Sequence, residues 1–405
     1  METSRSPLLP FVPPFLLLDA WRGAAALWVV MVHSCFPYLY NRQPELADNP
    51  LYSFSLLGQL GVVMFFVISG YCITGAAWNC IARNRPVTGY LVDRFRRIYP
   101  PYFVAIALAV GVTFFTQFLQ QAQLLPQSNH PPHNFPTDLA TWSVNLTLVQ
   151  MPLGQHSILP VAWSLSYEVF FYLIIGAFLC IGLPRTGLQP RHRFTLLSIG
   201  AGSITILSLS WLCAVPSTTL FPFDLWYQFG LGSLLFAHAT TRLPGSGRLF
   251  ARTIQILLAV SIGLTLLYAY RQPSQVTPGN DHVISNPSIS TQALTAAAFT
   301  LLLLGLGSVH IPSRSQQWLQ PLSWMGTISY SVYLTHLTVI PFPSGALRRL
   351  GFLDDRYWVT FLGQIFVAFA FGWIFHRFVE RRFLSPRQRN HGAIQSPPST
   401  VSPPA

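Results

Sequence analysis

Leu18-Asp19-Ala20-Trp21-Arg22-Gly23-Ala24-Ala25-Ala26-Leu27-Trp28-Val29-Val30-Met31-Val32-His33 lies within the first long apolar run of the chain and carries three ionisable side chains inside it. A helix turns once per 3.6 residues, so Arg22 and His33, eleven positions apart, return to one face after about three turns. Asp19, three positions before Arg22, shares that face. Ionisable groups in hydrocarbon are costly unless paired or wetted, and by default they mark function. An acid, a base and an imidazole in line therefore predict a polar cavity inside a membrane helix bundle.

Composition points the same way. Of 405 residues, 51% are hydrophobic and only 9% charged, the balance of a polytopic membrane protein. All 24 basic residues are arginine, which excludes a Schiff-base lysine and the lysine of a phosphate-binding P-loop. Five cysteines (Cys35, Cys72, Cys80, Cys180, Cys213) are scattered without metal-like spacing, so they read as small apolar residues and no metal site is expected. The N-terminal apolar run lacks a convincing cleavage site and is expected to stay.

A bilayer core needs about 20 apolar residues per helix. Spans are predicted near 15–38, 54–77, 99–118, 161–183, 194–214, 220–240, 251–269, 291–309, 322–344 and 358–378. The fold class is thus all-α, a bundle of about ten transmembrane helices with no separate soluble domain. That threading places 18 arginines on one side and 5 on the other, with Arg22 inside the membrane. The positive-inside rule then puts both termini in the cytoplasm, in a plasma (inner) membrane. It also accounts for the net charge of +12, so nucleic acid is not an expected partner, whereas membrane lipid is. Residues 1–384 are read as one membrane domain and 385–405 as a disordered, Pro/Ser-rich cytoplasmic tail. The longest loop, about 119–160, falls on the outer side with His130, His133 and His156; a second outer stretch runs near 271–290. No internal repeat is evident, which disfavours inverted-repeat transporters.

Five further stretches carry polar chemistry. In Gly61–Tyr71, Ser69 sits in an apolar helix and either orients a ligand or packs against a neighbouring helix. In Asp93-Arg94-Phe95-Arg96-Arg97-Ile98-Tyr99, Arg94 and Arg97 share a face at the mouth of the third span; guanidinium forks bind phosphates, and lipid anchoring is the alternative. In Trp163–Tyr172, Glu168 shares a face with Ser164 and Tyr172; it orients an imidazole, holds an acceptor hydroxyl or pairs with a neighbouring helix. In Ser329–His336, Ser329, Tyr333 and His336 line one side of the ninth span as a second cavity wall. Phe378–Phe383, with Glu380, Arg381 and Arg382, is an anchor or a phosphate contact at the end of the tenth span.

In order and spacing these segments resemble the membrane acyltransferase-3 family of integral-membrane O-acyltransferases. Residues 18–33 resemble its L-D-G-x-R-G-x-A-A-x-x-V-x-x-x-H opening, and the others its G-x-x-x-F-F-x-x-S-G, R-x-x-R-I-Y-P, W-S-L-x-x-E-x-x-F-Y and S-Y-x-x-Y-L-x-H stretches. The resemblance runs from residue 18 to about 383. Ala20 stands where the family often has Gly, Val63-Met64 where an acid is common, and Arg381 follows Glu380 where Arg-Pro is common. The esterase-like domain appended in some members has no counterpart within these residues.

The resemblance implies acyl transfer, often of acetyl, from a cytoplasmic acyl-CoA to a hydroxyl of a sugar, glycan or related acceptor, with no permanently bound cofactor. In that scheme Arg22, Arg94 and Arg97, with Tyr99 beside them, hold the donor phosphates. His33 is the general base or carries the acyl group itself, and Glu168 orients the histidine or the acceptor. Asp19, Ser69, Tyr172, Ser329, Tyr333 and His336 support the cavity. A multi-pass transporter of a small molecule or saccharide is the alternative, since it shares the bundle and the buried ionisable groups.

Overall fold

The structure, a computed structural model, describes residues 17–40, 49–124, 135–136, 138–182, 188–215, 220–243, 247–272, 288–307, 317–343, 345 and 357–384. The tail from 385, His130, His133 and most of the 271–290 stretch lie outside these residues. Among the described residues the chain is helical, with no strand. In order it forms α1 (Leu18–Tyr40), α2 (Pro50–Leu56), α3 (Leu60–Ala82), α4 (Val87–Gln121), α5 (Leu139–Leu146), α6 (Ala162–Gly182) and α7 (Pro190–Ala214). There follow α8 (Phe223–Thr241), α9 (Arg248–Arg271), α10 (Ile289–Leu306), α11 (Gln320–Thr327), α12 (Ser329–Val339), α13 (Tyr357–Phe375), a π turn at His376–Glu380, and α14 (Arg381–Phe383).

Seven segments among the described residues are long and apolar enough to cross a membrane, so the expected ten is an approximate count. The other three expected spans correspond to α1, α8 and the α11–α12 pair, and each departs for a physical reason. α1 carries Asp19 and Arg22. α8 is packed inside the bundle, with Gln228 and Ser233 buried among its apolar side chains, so it need not present a uniform apolar coat to lipid. The ninth span breaks at Ile328, and the Ser329 hydroxyl donates to the carbonyl of Gly326 at 2.8 Å across the break.

Small residues let helices cross at backbone contact. A methyl group on Gly326 would run into the Asp19 carbonyl, and one on Gly23 into the Leu322 carbonyl, so α1 and α11 interlock reciprocally. α3 and α8 do the same through Gly70 against Phe229 and Gly232 against Val67. A buried hydroxyl pair, Thr74 to Ser233 at 2.8 Å, ties that second crossing.

α4 differs from its expected span of 99–118. It begins at Val87 and runs unbroken through Pro100 and Pro101, so the arginines of 94–97 lie on the same helix as the apolar span that follows them. The Tyr330 hydroxyl donates to the Ile98 carbonyl at 2.9 Å beside the prolines, which themselves supply no N–H.

The stretch expected as an open outer loop is also more structured. α4 extends to Gln121, α5 lies within the loop, and residues 138–161 fold onto the middle of α4. The Tyr102 hydroxyl donates to the Asn145 carbonyl and the Tyr99 hydroxyl to the Thr147 carbonyl, both at 3.0 Å. Asn145, fully buried, donates to the carbonyls of Thr141 (2.9 Å) and His156 (3.0 Å) and accepts from the Ile158 N–H at 2.8 Å. Asp138 caps α5 by accepting from the Thr141 N–H at 2.7 Å, a bond that holds its carboxyl below the usual carboxylate range. Replacing Asn145 by leucine removes the side-chain partners of the His156 carbonyl and the Ile158 N–H. It should cost about 2–3 kcal/mol and expose 138–161 to limited proteolysis, read against the unmodified protein.

Candidate active site

α6 carries Ser164, Glu168 and Tyr172 at four-residue steps, so one helix face spans the site from end to end. α1 supplies Arg22 and His33, which stand roughly 16 Å apart along its axis at 1.5 Å per residue. Two polar clusters lie at these two levels.

The first gathers arginines. Arg22 donates to Asp19 Oδ1 at 3.3 Å and to Cys72 Sγ at 3.2 Å, and it lies within electrostatic range of Glu168 and Tyr172. The Tyr172 hydroxyl donates to Glu168 Oε1 at 2.5 Å. The Arg94 guanidinium sits over the Tyr172 ring, 5.7 Å from its centroid, and its Nε is buried with no hydrogen-bond partner among the described residues. A buried N–H without an acceptor is costly, and an anion would satisfy it. Arg97, half-buried, is near enough to act electrostatically on Tyr172 and Tyr330.

The second gathers imidazoles and hydroxyls. His336 Nε2 lies 3.3 Å from His33 Nδ1, with ring centroids 4.9 Å apart. His33 Nδ1 is also 2.7 Å from the Val29 carbonyl. Ser164 Oγ and the Tyr333 hydroxyl are 2.7 Å apart, and both donate toward the Val161 carbonyl, at 3.0 and 3.2 Å. The Tyr333 ring stands 6.0 Å from that of His336.

Most of the residues expected at the site thus converge, but not all. Glu168 accepts from Tyr172 at the arginine end. Tyr99 turns to the loop carbonyl of Thr147, Ser329 serves the break between α11 and α12, and half-buried Ser69 takes part in none of these hydrogen bonds. Sequence reasoning missed Cys72 and Tyr330, which border the arginines; Tyr330 lies inside the S-Y-x-x-Y stretch and one turn before Tyr333, a spacing that could have flagged it.

Glu380 points into the bundle. Its carboxylate is 3% exposed and accepts from the Ser331 hydroxyl at 2.5 Å and pairs with His376 at 2.9 Å across the π turn. The widened turn carries the last helix on through Arg381–Phe383, where the absence of a proline lets it continue.

Comparisons with known proteins agree with this architecture. The peptidoglycan O-acetyltransferase OatA of Listeria monocytogenes is 24% identical over 392 residues, which cover 90% of this chain and 54% of the relative. The putative membrane-bound transacylase BcsY of Komagataeibacter xylinus is 27% identical over 285 residues, 69% of this chain and 65% of the relative. The acyltransferase MdmB of Streptomyces mycarofaciens is 24% identical over 399 residues, 90% of each. The chain spans about half the length of the Listeria relative. No solved structure matches it. A family described as an acyltransferase domain matches residues 15–377, taking in every helix of the site from α1 to α13, and the chain therefore belongs to the acyltransferase-3 family of multi-pass membrane proteins.

Proposed function

We propose that the protein is a membrane O-acyltransferase that moves an acyl group, acetyl in the first instance, from acyl-CoA to a hydroxyl of a saccharide acceptor. The peptidoglycan in the name of the Listeria relative is one such acceptor. The observation that carries the reading is the gathering of three arginines around one end of α6 and of a histidine pair about 16 Å further along α1. A long thioester arm would run between them, its phosphates at Arg22, Arg94 and Arg97 and its acyl carbon near His33. The arginine-rich side is read as cytoplasmic, which gives the donor its point of entry and places both termini there.

In the direct route His33 takes the proton of the acceptor hydroxyl. The hydroxyl oxygen forms the new bond to the acyl carbon, the C–S bond breaks, and the departing thiolate takes the proton back from the imidazole. In the covalent route His33 attacks the acyl carbon and the C–S bond breaks, releasing CoA as its thiolate; the acceptor hydroxyl oxygen then displaces the imidazole from the acyl carbon, and its proton passes to the thiolate. Glu168 and Tyr172 tie the wall of α6 to the arginine cluster and set the charge balance around the donor.

Purified protein in nanodiscs, given acyl-labelled acetyl-CoA and a panel of saccharides, should transfer label to an acceptor hydroxyl. Substrate flux across vesicles without any consumption of acetyl-CoA would overturn the proposal in favour of a transporter. Arg94→Leu should raise the KM for acetyl-CoA by roughly 10-fold or more while leaving kcat much less changed, because a charge-assisted phosphate contact contributes about 1.5–3 kcal/mol. Steady-state kinetics beside Arg94→Lys, which keeps the charge, would check this.

A further inference from the structure

Taking His33 as the group that serves the transfer, as proposed above, we infer that His336 is its positioning residue. It accepts a hydrogen bond at Nε2 and holds His33 as the Nδ1–H tautomer, with Nε2 as the basic nitrogen. The assignment follows from which neighbours can only accept. His33 Nδ1 lies 2.7 Å from the Val29 carbonyl, and a carbonyl has no proton to give, so Nδ1 carries the hydrogen. The same nitrogen lies 3.3 Å from His336 Nε2, and two N–H groups cannot face each other at that distance. His336 must therefore present a lone pair there. Its own Nδ1 is 2.9 Å from the Tyr333 carbonyl and 3.1 Å from the Val332 carbonyl, so its single proton resides on the far side of the ring. The backbone of α12 thus dictates the tautomer of His336, and His336 in turn constrains that of His33.

His336 is wholly buried, and its ring meets that of His33 at 62° with centroids 4.9 Å apart. In many catalytic histidines a carboxylate performs this orienting task. Here the carboxylate expected to do so, Glu168, is engaged by Tyr172. His336 supplies an uncharged acceptor for the same task. A neutral partner helps fix the ring without lending it a formal negative charge.

The test joins a spectroscopic readout to a kinetic one. Protein labelled with 15N and 13C histidine is placed in nanodiscs, and the His33 signal is identified by its loss in His33→Gln. Ring nitrogen and carbon shifts should report Nδ1–H for His33 in the unmodified protein. In His336→Leu, which removes one acceptor from Nδ1, a second signal from the Nε2–H form is expected. Transfer from acetyl-CoA should fall roughly 10- to 100-fold at unchanged KM for the donor. His336→Gln, whose amide oxygen can accept in place of Nε2, should restore the single tautomer and return the rate to within about 5-fold of the original. A His33 that is Nε2–H in the unmodified protein overturns the assignment. So does a His336→Leu variant with both tautomer and rate unaltered. A protein with the stated tautomers that transfers nothing supports the pair and counts against the acyl-transfer reading alone.

Discussion

His33→Ala is expected to abolish transfer, with a loss of at least about 100-fold and up to about 10,000-fold, while the protein accumulates normally in the membrane. The magnitude is that of removing a positioned general base or nucleophile. The folded state should survive because His33 is only partly buried and its Nδ1 satisfies a carbonyl of its own helix, Val29. His336 would lose one neighbour but keep both of its own backbone contacts. The labelled acetyl-CoA assay on detergent-purified protein, alongside size-exclusion profiles, checks the two halves together. A variant that retains the original rate would remove His33 from the chemistry, by either the direct or the covalent route.

Gly326→Ala should produce the largest loss of stability among single methyl additions in the described bundle. Its new Cβ would meet backbone, the Asp19 carbonyl, and backbone cannot swing aside as the tip of a long side chain can. Overpacking of this kind costs about 3 kcal/mol or more, and here it would push α1 away from α11. Because α1 carries both Arg22 and His33, activity should fall with stability. Gly263→Ala is the matched comparison: nothing lies within 4 Å of its Cβ, so α9 should be unaffected or slightly more stable. Thermal unfolding in detergent, followed by intrinsic fluorescence, should give a clear drop in Tm for the first and none for the second.

How far the sequence foretells these features depends on whether they are local. Arg22 and His33 fall on one face by helical spacing alone, and Ser164, Glu168 and Tyr172 by the same rule, so both walls can be read from periodicity. The resemblance supplied the order of the walls. What spacing could not show is which polar group meets which. Glu168 has Tyr172 one turn away on its own helix, and that neighbour takes the carboxylate. The partner of His33 lies 303 positions along the chain, a distance over which sequence offers no geometry. The third span reads from about 99 because the arginines before it are too polar to count toward an apolar run, whereas the helix itself begins at Val87 and takes them in. The 138–161 segment read as open loop because Asn145 and Gln150 look solvent-seeking until the backbone groups they satisfy are seen.

That last segment changes how deep the chemistry lies. Tyr102, which grips the Asn145 carbonyl, is 19 positions before the far end of α4, roughly 28 Å along a helix axis. The fold of 138–161 thus meets α4 near its middle, and the Val161 carbonyl at its end receives the hydroxyls of Ser164 and Tyr333. An acceptor approaching from that side would enter a vestibule flanked by the upper half of α4 and be handed to the histidines by the rim of this segment. Under the proposed reading, the donor would then cross less than the full span, and a bulky glycan would be modified while most of it stays outside the bundle.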